Sequence, residues 1–447
     1  DGSREASGYL TTDYVAANEP MIVQEPGTVM AEPNRWQPLA LAVSYTQNGQ
    51  LLPVGPQQFI GPHWGDVAAF ALPEPAAPGL PIDPGEPPLL HDETSQPEFK
   101  AKAIEVVRYS SLLDPRDGVV VDISPAVFGN APLGTNDWSG HAYNPYTGLP
   151  YEPVLVPRAD YGRVLAEFWA DGPDSETPPG HWNSIANAVT DHPGFQRRIG
   201  GRGSPVDPLE WDVKMYLALN AALHDAAVAA WGAKSHYDYV RPISMIRWMG
   251  GLGQSSDPSL PSYHPDGLPL IEGEVELITA ESAAPGERHH HLRDHVGEIA
   301  IRAWTGNPGD VETRLGGVGW IRAVEWVPYQ LSTFVTPSFA GYVSGHSTFS
   351  RAAAEVLAAM SGTPYFPGGL GTWTVPAGSL HFELGPSVDV PLQWATYYDA
   401  ADQAGISRLY GGIHVEADDL RGRVIGSECG VAAWDTAQRY WEGSARS

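Results

Sequence analysis

Between Pro208 and Trp231 the apolar residues Trp211, Met215, Ala218, Ala222, Ala226 and Ala229 recur at steps of three and four. That spacing gathers them on one side of a 3.6-residue helix, and the alanines among them let neighbouring helices approach closely. A chain containing such a helix must bury it among others. One polar group, Asp225, enters the stripe three residues after Ala222. Further helical patterns run from about Glu98 through Tyr109, over Ala159–Ala170 and over His181–Thr190. The C-terminal third continues them in His346–Ser361, Val390–Ala404 and His414–Tyr440, and strand signals are few and short. The expected fold is mainly α, a multi-helix bundle with long Pro/Gly-rich loops.

The loops are visible in the composition. Of 447 residues 49 are Gly and 42 are Pro, and eight prolines fall between Leu72 and Pro97 alone. Residues 1–97 therefore read as an irregular segment wrapping the core, and residues 98–447 as the helical catalytic domain. The formal charge of −27 excludes two partner classes. Nucleic acid and anionic membrane surfaces both require a surplus of Lys and Arg on one face. The single cysteine, Cys429, rules out an internal disulfide framework and reads as a small packing residue. No run of eighteen apolar residues is present, so no membrane span is expected. The chain begins at Asp1 rather than Met, and the expectation is a soluble, exported enzyme, periplasmic or extracellular.

Three separated blocks carry chemistry. Lys234-Ser-His-Tyr-Asp-Tyr-Val-Arg241-Pro242 follows the long helix, Ser344-Gly345-His346 opens another, and Ser407-Arg408-Leu-Tyr-Gly-Gly-Ile-His414-Val-Glu-Ala-Asp418 leads into the last. Lys234, Arg241 and Arg408 offer three cations, two of them guanidinium forks suited to an oxyanion. The Ser344 hydroxyl and the Gly345 N–H stand at a helix start, where anions are favoured. Of the two histidines, one can bond to the central atom of a tetrahedral anion and the other can move protons. His414 and Asp418 are four apart, so on a helix they share a face and the carboxylate can orient the ring.

Together these blocks, Lys-x6-Arg-Pro, Ser-Gly-His and Ser-Arg-x5-His-x3-Asp, resemble the signature of the vanadium-dependent haloperoxidase and acid phosphatase superfamily. The resemblance spans roughly Ala159 to the C-terminus. It departs in one place, Val343, where a proline normally precedes Ser-Gly-His. It implies that His414 is the axial ligand of vanadium in a vanadate cofactor, a site phosphate can also occupy. It implies that Lys234, Arg241, Ser344, Gly345 and Arg408 hold the other oxygens, and that His346 is the acid–base group facing the apical oxygen.

Two reactions are compatible with such a site. A haloperoxidase would oxidise halide with hydrogen peroxide to hypohalous acid, which then meets an organic acceptor, with Lys234 polarising the oxidant. An acid phosphatase would use His414 as nucleophile and His346 as general acid. Trp231, three before Lys234, and Phe339, five before Ser344, favour the first, because by resemblance they line the halide side of the pocket. Each would otherwise be an ordinary core aromatic. The segment Phe168–Asn183 is similar to one in bacterial haloperoxidase-like members, and by that similarity Asp171 pairs with Arg408. The halide is left open by these positions. Larger members pair two helical bundles, so a further N-terminal piece, a separate chain or a homo-oligomer is expected to complete the fold.

Other features are weaker. Arg288-His-His-His-Leu-Arg-Asp294-His295 places His291 and His295 four apart, yet reads better as a solvated face than as a metal site. His224-Asp225 is either a satisfied buried pair or support for the anion site. Asp238 reads as a local charge partner.

Overall fold

The computed structural model describes residues 14–445 except 46–48, 50, 53, 74, 76 and 171–175. The described elements run β1 (Met21–Ile22), β2 (Leu39–Ala40), α1 (Gln96–Ser111), β3 (Val120–Asp122), β4 (Leu155–Pro157), α2 (Arg158–Phe168), α3 (Pro178–Asp191), α4 (Pro208–Tyr237) and α5 (Pro242–Leu252). Then follow β5 (Val275–Leu277), β6 (Ile299–Trp304), β7 (Val318–Arg322), α6 (Gly345–Ser361), β8 (Gly371–Val375), β9 (Val390–Trp394), α7 (Tyr397–Tyr410) and α8 (Glu416–Trp441). The strands form small pairs and one antiparallel sheet ordered β5-β6-β7, while the helices carry the core. The expected helical bundle is the observed one.

Helix α4 is its axis. Asp207 caps its start by accepting the Glu210 N–H, Pro208 occupies a position that needs no donor, and Asp238 closes it in a left-handed conformation at φ 47°. Every residue of the anticipated stripe is buried, and α4 packs against both α6 and α8. The helix runs six residues past Trp231, so Lys234 stands in its last turn rather than beyond its end. Asp225 is fully buried because both its carboxylate oxygens are engaged, accepting the N–H groups of Phe70 and Ala71 at 2.7 and 2.8 Å. It anchors the N-terminal segment to α4, which settles the His224-Asp225 question for a satisfied buried carboxylate. Asp238 accepts a hydrogen bond from the Tyr14 hydroxyl at 2.8 Å, and the nearby Arg35 charge also favours its carboxylate, so it has a local charge partner as well as a phenol donor from the N-terminal segment.

Two expected elements differ. Val390–Ala404 is not one helix. Val390, Leu392 and Trp394 alternate inward as β9, paired antiparallel with β8, and Pro391 cannot donate within a helix or a ladder. The helix begins only after Thr396, whose side chain forms a capping box with Asp399. His414 likewise precedes α8, which starts at Glu416, so the ring and Asp418 do not share a helical face.

The approach of α8 to α6 fixes the site below. Gly422, Gly426 and Gly430 recur every four residues on α8, against backbone oxygens of Ser344, Thr348 and Ala352 with the same spacing on α6. A methyl group at Gly422 would lie 2.8 Å from the Ser344 oxygen, one at Gly430 2.6 Å from the Ala352 oxygen, and one at Gly426 nearer still to Thr348. Only hydrogen fits, so the helices touch backbone to backbone. Gly426→Ala is expected to cost about 1–3 kcal/mol through overpacking. A lowered urea midpoint with an unchanged slope would show it.

Candidate active site

The three sequence blocks converge at the N-terminal end of α6. Lys234 comes from the last turn of α4, Arg241 from the residue capping α5, Ser344 from the cap of α6, and Arg408 from the last turn of α7. His414 lies in the turn between α7 and α8, and Asp418 in the first turn of α8. All six are buried, at 2% exposure or less.

The histidines are held in definite orientations. His414 Nδ1–H donates to Asp418 Oδ2 at 2.8 Å, which leaves its Nε2 lone pair pointing into the cluster, 3.2 Å from Arg241 Nη1. Asp418 in turn accepts the Val415 N–H, and its backbone oxygen accepts the Ser344 N–H at 2.9 Å. The two blocks are thereby tied together. His346 donates from Nε2 to the Trp169 carbonyl at 2.7 Å, and Arg408 Nη1 donates to the same oxygen at 3.0 Å. A neutral His346 therefore carries its lone pair on Nδ1.

The cations are restrained by backbone oxygens. Lys234 Nζ donates to Ala340 and Gly341, both at 2.9 Å, leaving one of its three protons. Arg241 donates from Nε to Phe339 and from Nη1 to Ile413, while its buried Nη2 has no partner among the described residues. The Phe339 ring centroid lies 5.1 Å from Lys234 Nζ and 5.3 Å from Arg241 Cζ, within cation–π range. Trp231 packs 4.8 Å from Phe339, ring centre to ring centre, and donates its indole N–H to the Ile60 carbonyl at 2.8 Å.

Electrostatics sharpen the picture. Burial, with repulsion from Arg241, holds the Lys234 ammonium well below its ordinary range, and Asp418 opposes the shift. Burial lowers Arg241 to about 9, opposed by Asp418 and reinforced by Arg408. His414 is held well below the ordinary imidazole range by burial and by Arg241, Lys234, Arg408 and His346, so it is neutral at pH 7. His346 is lowered likewise, by burial first and Arg408 second. Burial pushes Asp418 up to about 7 against the pull of Lys234 and Arg241. Lys234 and Arg241 thus share a water-poor pocket with the Asp418 carboxylate, which acts on both, and Arg408 stands close enough to repel Arg241.

Lys234 and Arg241 buried beside one carboxylate favour a further anion. The donor set is specific: an ammonium proton, guanidinium N–H groups, a hydroxyl and a helix N-terminus, with one imidazole lone pair among them. A tetrahedral oxyanion able to accept a fifth ligand fits, and vanadate meets that description. Sulfate, whose charge is constant above pH 7, tests the charge logic. An anion favours the Lys234 ammonium, so binding takes up a proton. Affinity is expected to fall as pH rises from 7 to 10, by up to about tenfold per unit for each proton taken up. Calorimetric titration should show the slope, and Lys234→Met should flatten it.

The structure brings together Lys234, Arg241, Ser344, Gly345, His346, Arg408, His414 and Asp418, with Trp231 and Phe339 along one side. Asp171 lies outside the described residues. Two contributors were missed. The Trp169 carbonyl is a backbone acceptor with no sequence signature, and Trp64, 5.0 Å from Trp231, comes from the irregular segment. The His-rich stretch is elsewhere, in a kinked 3₁₀ turn. Contrary to a wholly solvated face, His289 is buried against Trp320 and lies 3.3 Å from Glu276. Among the described residues no group of three or more His, Cys, Asp or Glu is placed to hold a metal ion, and no helix is long and apolar enough to cross a membrane.

Residues 214–443, more than half of the chain, match the family described as the VCPO second helical-bundle domain. Among solved structures, an apo-type bacterial vanadium-dependent chloroperoxidase is similar with a TM-score of 0.60 at 18% identity, covering 96% of this chain and 66% of that one. A holo-type bacterial vanadium-dependent chloroperoxidase gives 0.56 at 19%, covering 96% and 64%. The chain therefore spans just under two thirds of the length of these structures, and at such identities the likeness concerns the fold. No curated protein matches the chain. The matched helical-bundle domain, the shared fold and the convergence of all three sequence blocks lead to one conclusion: the chain belongs to the vanadium haloperoxidase family.

Proposed function

We propose that the protein is a vanadium-dependent haloperoxidase, oxidising halide with hydrogen peroxide to hypohalous acid. The observation that carries this reading is the buried three-cation cluster around a His414 Nε2 lone pair whose ring is oriented by Asp418. His414 would hold vanadium through Nε2, and Lys234, Arg241, Arg408, Ser344 Oγ and the Gly345 N–H would hold the oxyanion oxygens. Bound vanadate supplies Lewis acidity toward peroxide without changing oxidation state.

The remaining work belongs to the chain. His346, neutral in its buried setting, accepts a proton from hydrogen peroxide at Nδ1, while Nε2–H stays on the Trp169 carbonyl. That carbonyl would stabilise the imidazolium while the ring holds the proton. Lys234 Nζ, steadied by two carbonyls, directs its remaining proton at developing negative charge. Trp231 and Phe339 form an apolar wall that excludes water where halide approaches. Trp64 and the Ile60 carbonyl, from the N-terminal segment, cover this wall, and we assign catalysis to residues 98–447.

The test uses purified protein with orthovanadate, hydrogen peroxide and iodide or bromide, following halogenation of a dye. Vanadate-dependent halogenation is the expected result. Hydrolysis of an aryl phosphate without vanadate, in the absence of any halogenation, would overturn it in favour of a phosphatase.

A further inference from the structure

His346 is oriented by a backbone oxygen. Its Nε2–H and the Arg408 Nη1–H converge on the Trp169 carbonyl, at 2.7 and 3.0 Å. A carbonyl only accepts, so Nε2 carries the proton of the neutral ring and Nδ1 the lone pair. Trp169 is the residue on which α2 ends, and the last carbonyls of a helix receive no N–H from the helix itself. The oxygen that serves two site residues is therefore placed by what holds Trp169.

That residue is gripped by its side chain. The buried indole stacks on Trp182, ring centres 6.1 Å apart at 25°, and lies 4.8 Å from the His181 ring. Its N–H donates to Gln403 Oε1 at 3.2 Å, and the Trp394 indole donates to the same oxygen at 3.0 Å. Gln403 Nε2 in turn donates to the Tyr161 hydroxyl oxygen at 3.4 Å. Indoles are donors only, so the two of them decide which end of the amide is oxygen. All four side chains are buried, Gln403 itself at 6% exposure. An apolar residue in place of Gln403 would take the acceptor from two buried N–H groups at once.

Gln403 stands on α7 five residues before Arg408. One helix thus carries the guanidinium and, through an amide and an indole, fixes the carbonyl that the guanidinium shares with His346. We propose that Gln403 is a positioning residue: it holds the Trp169 indole so that the Trp169 carbonyl keeps the His346 Nε2–H engaged and leaves Nδ1 for the proton of hydrogen peroxide. The last step rests on the haloperoxidase reading; the tether itself does not. Trp394, on β9, donates to the same amide oxygen but is not a link between Gln403 and the carbonyl, which makes it the matched control.

The tether is testable without turnover. In the full chain labelled at histidine, the Nε2 proton of His346, assigned by its loss in His346→Gln, is expected to exchange slowly with water. Gln403→Leu and Trp169→Phe, which remove the acceptor and the donor of one bond, are each expected to speed that exchange about tenfold, the scale of one weakened hydrogen bond. Both should lower kcat for vanadate-dependent iodide oxidation about 10- to 100-fold, as loss of a supporting hydrogen bond does elsewhere, with the KM for iodide little changed. Trp394→Phe removes the other donor from the same oxygen and is expected to leave exchange and kcat as in the wild type. Wild-type exchange in both Gln403→Leu and Trp169→Phe overturns the proposal, as do equal effects of Trp169→Phe and Trp394→Phe, which would mark a packing role alone. Should Gln403→Leu fail to fold, the two tryptophan variants decide. A wild-type chain that oxidises no iodide with vanadate and peroxide overturns the haloperoxidase reading instead, and proton exchange without vanadate still reports on the tether.

Discussion

His414→Ala is expected to reduce vanadate-dependent halide oxidation by about 10³-fold or more, on the order of 4 kcal/mol of transition-state stabilisation. The ring, oriented by Asp418, directs its Nε2 lone pair toward Arg241 in the cluster, while the His346 lone pair belongs to the acid–base role. Anion binding should suffer far less. Lys234 and Arg241 remain buried beside a single carboxylate and still favour an anion, so sulfate affinity is expected to change by no more than about tenfold. Asp418→Asn provides the graded comparison, with an expected loss of about 10- to 100-fold in activity, as for other groups that orient a ligating histidine. Steady-state assays beside calorimetric titration separate the two effects. Equal losses of sulfate binding and activity in His414→Ala would mean that the ring serves only to shape the pocket.

Much of this arrangement could be read in the sequence, and what could not has physical causes. Side chains with distinctive chemistry, such as Lys234, Arg241, Arg408 and the two histidines, announce themselves by type and spacing. Helix α4 was legible because its apolar period is long, with Asp225 the polar group that enters it. The segment before Tyr397 was not, because Val-Pro-Leu-Gln-Trp followed by Ala and Thr supports both periods over so short a run, and pairing with β8 decides between them. The Asp418 contact to His414 was anticipated on the wrong geometry: the residues meet because a turn folds His414 back over the first turn of α8. Backbone acceptors such as Trp169, Ala340 and Gly341 carry no residue-type signal at all. Neither does the coverage of Trp231 by Ile60 and Trp64, since contacts some 170 residues apart are set by packing alone.

The net charge of −27 acquires a narrower meaning beside this geometry. An acidic surface repels halide, vanadate and phosphate at long range, so it does not steer them inward. The attraction is local, confined to three cations whose separation from water makes each worth more than a surface charge.

Arg423→Met is expected to have the largest effect on stability, about 3–5 kcal/mol, the usual result of stranding buried charges. Arg423 is fully buried and donates to both oxygens of Asp419, at 2.9 and 2.5 Å, and pairs with Asp402 at 3.2 Å. Asp419 also accepts the Ser347 hydroxyl at 2.7 Å. The network therefore joins α6 just past His346, α7 two turns before Arg408, and α8 at the residue after Asp418. Burial pushes Asp402 up to about 7 even with Arg423 opposing it, and removing the guanidinium raises it further. A carboxylate whose folded pKa lies above its unfolded value binds extra protons in the native state, so stability falls as pH rises through that interval. The penalty of Arg423→Met should consequently be smaller at pH 5 than at pH 8. Urea unfolding at the two pH values measures the difference, and an equal penalty at both would mean that lost packing, rather than stranded carboxylates, is what the variant feels.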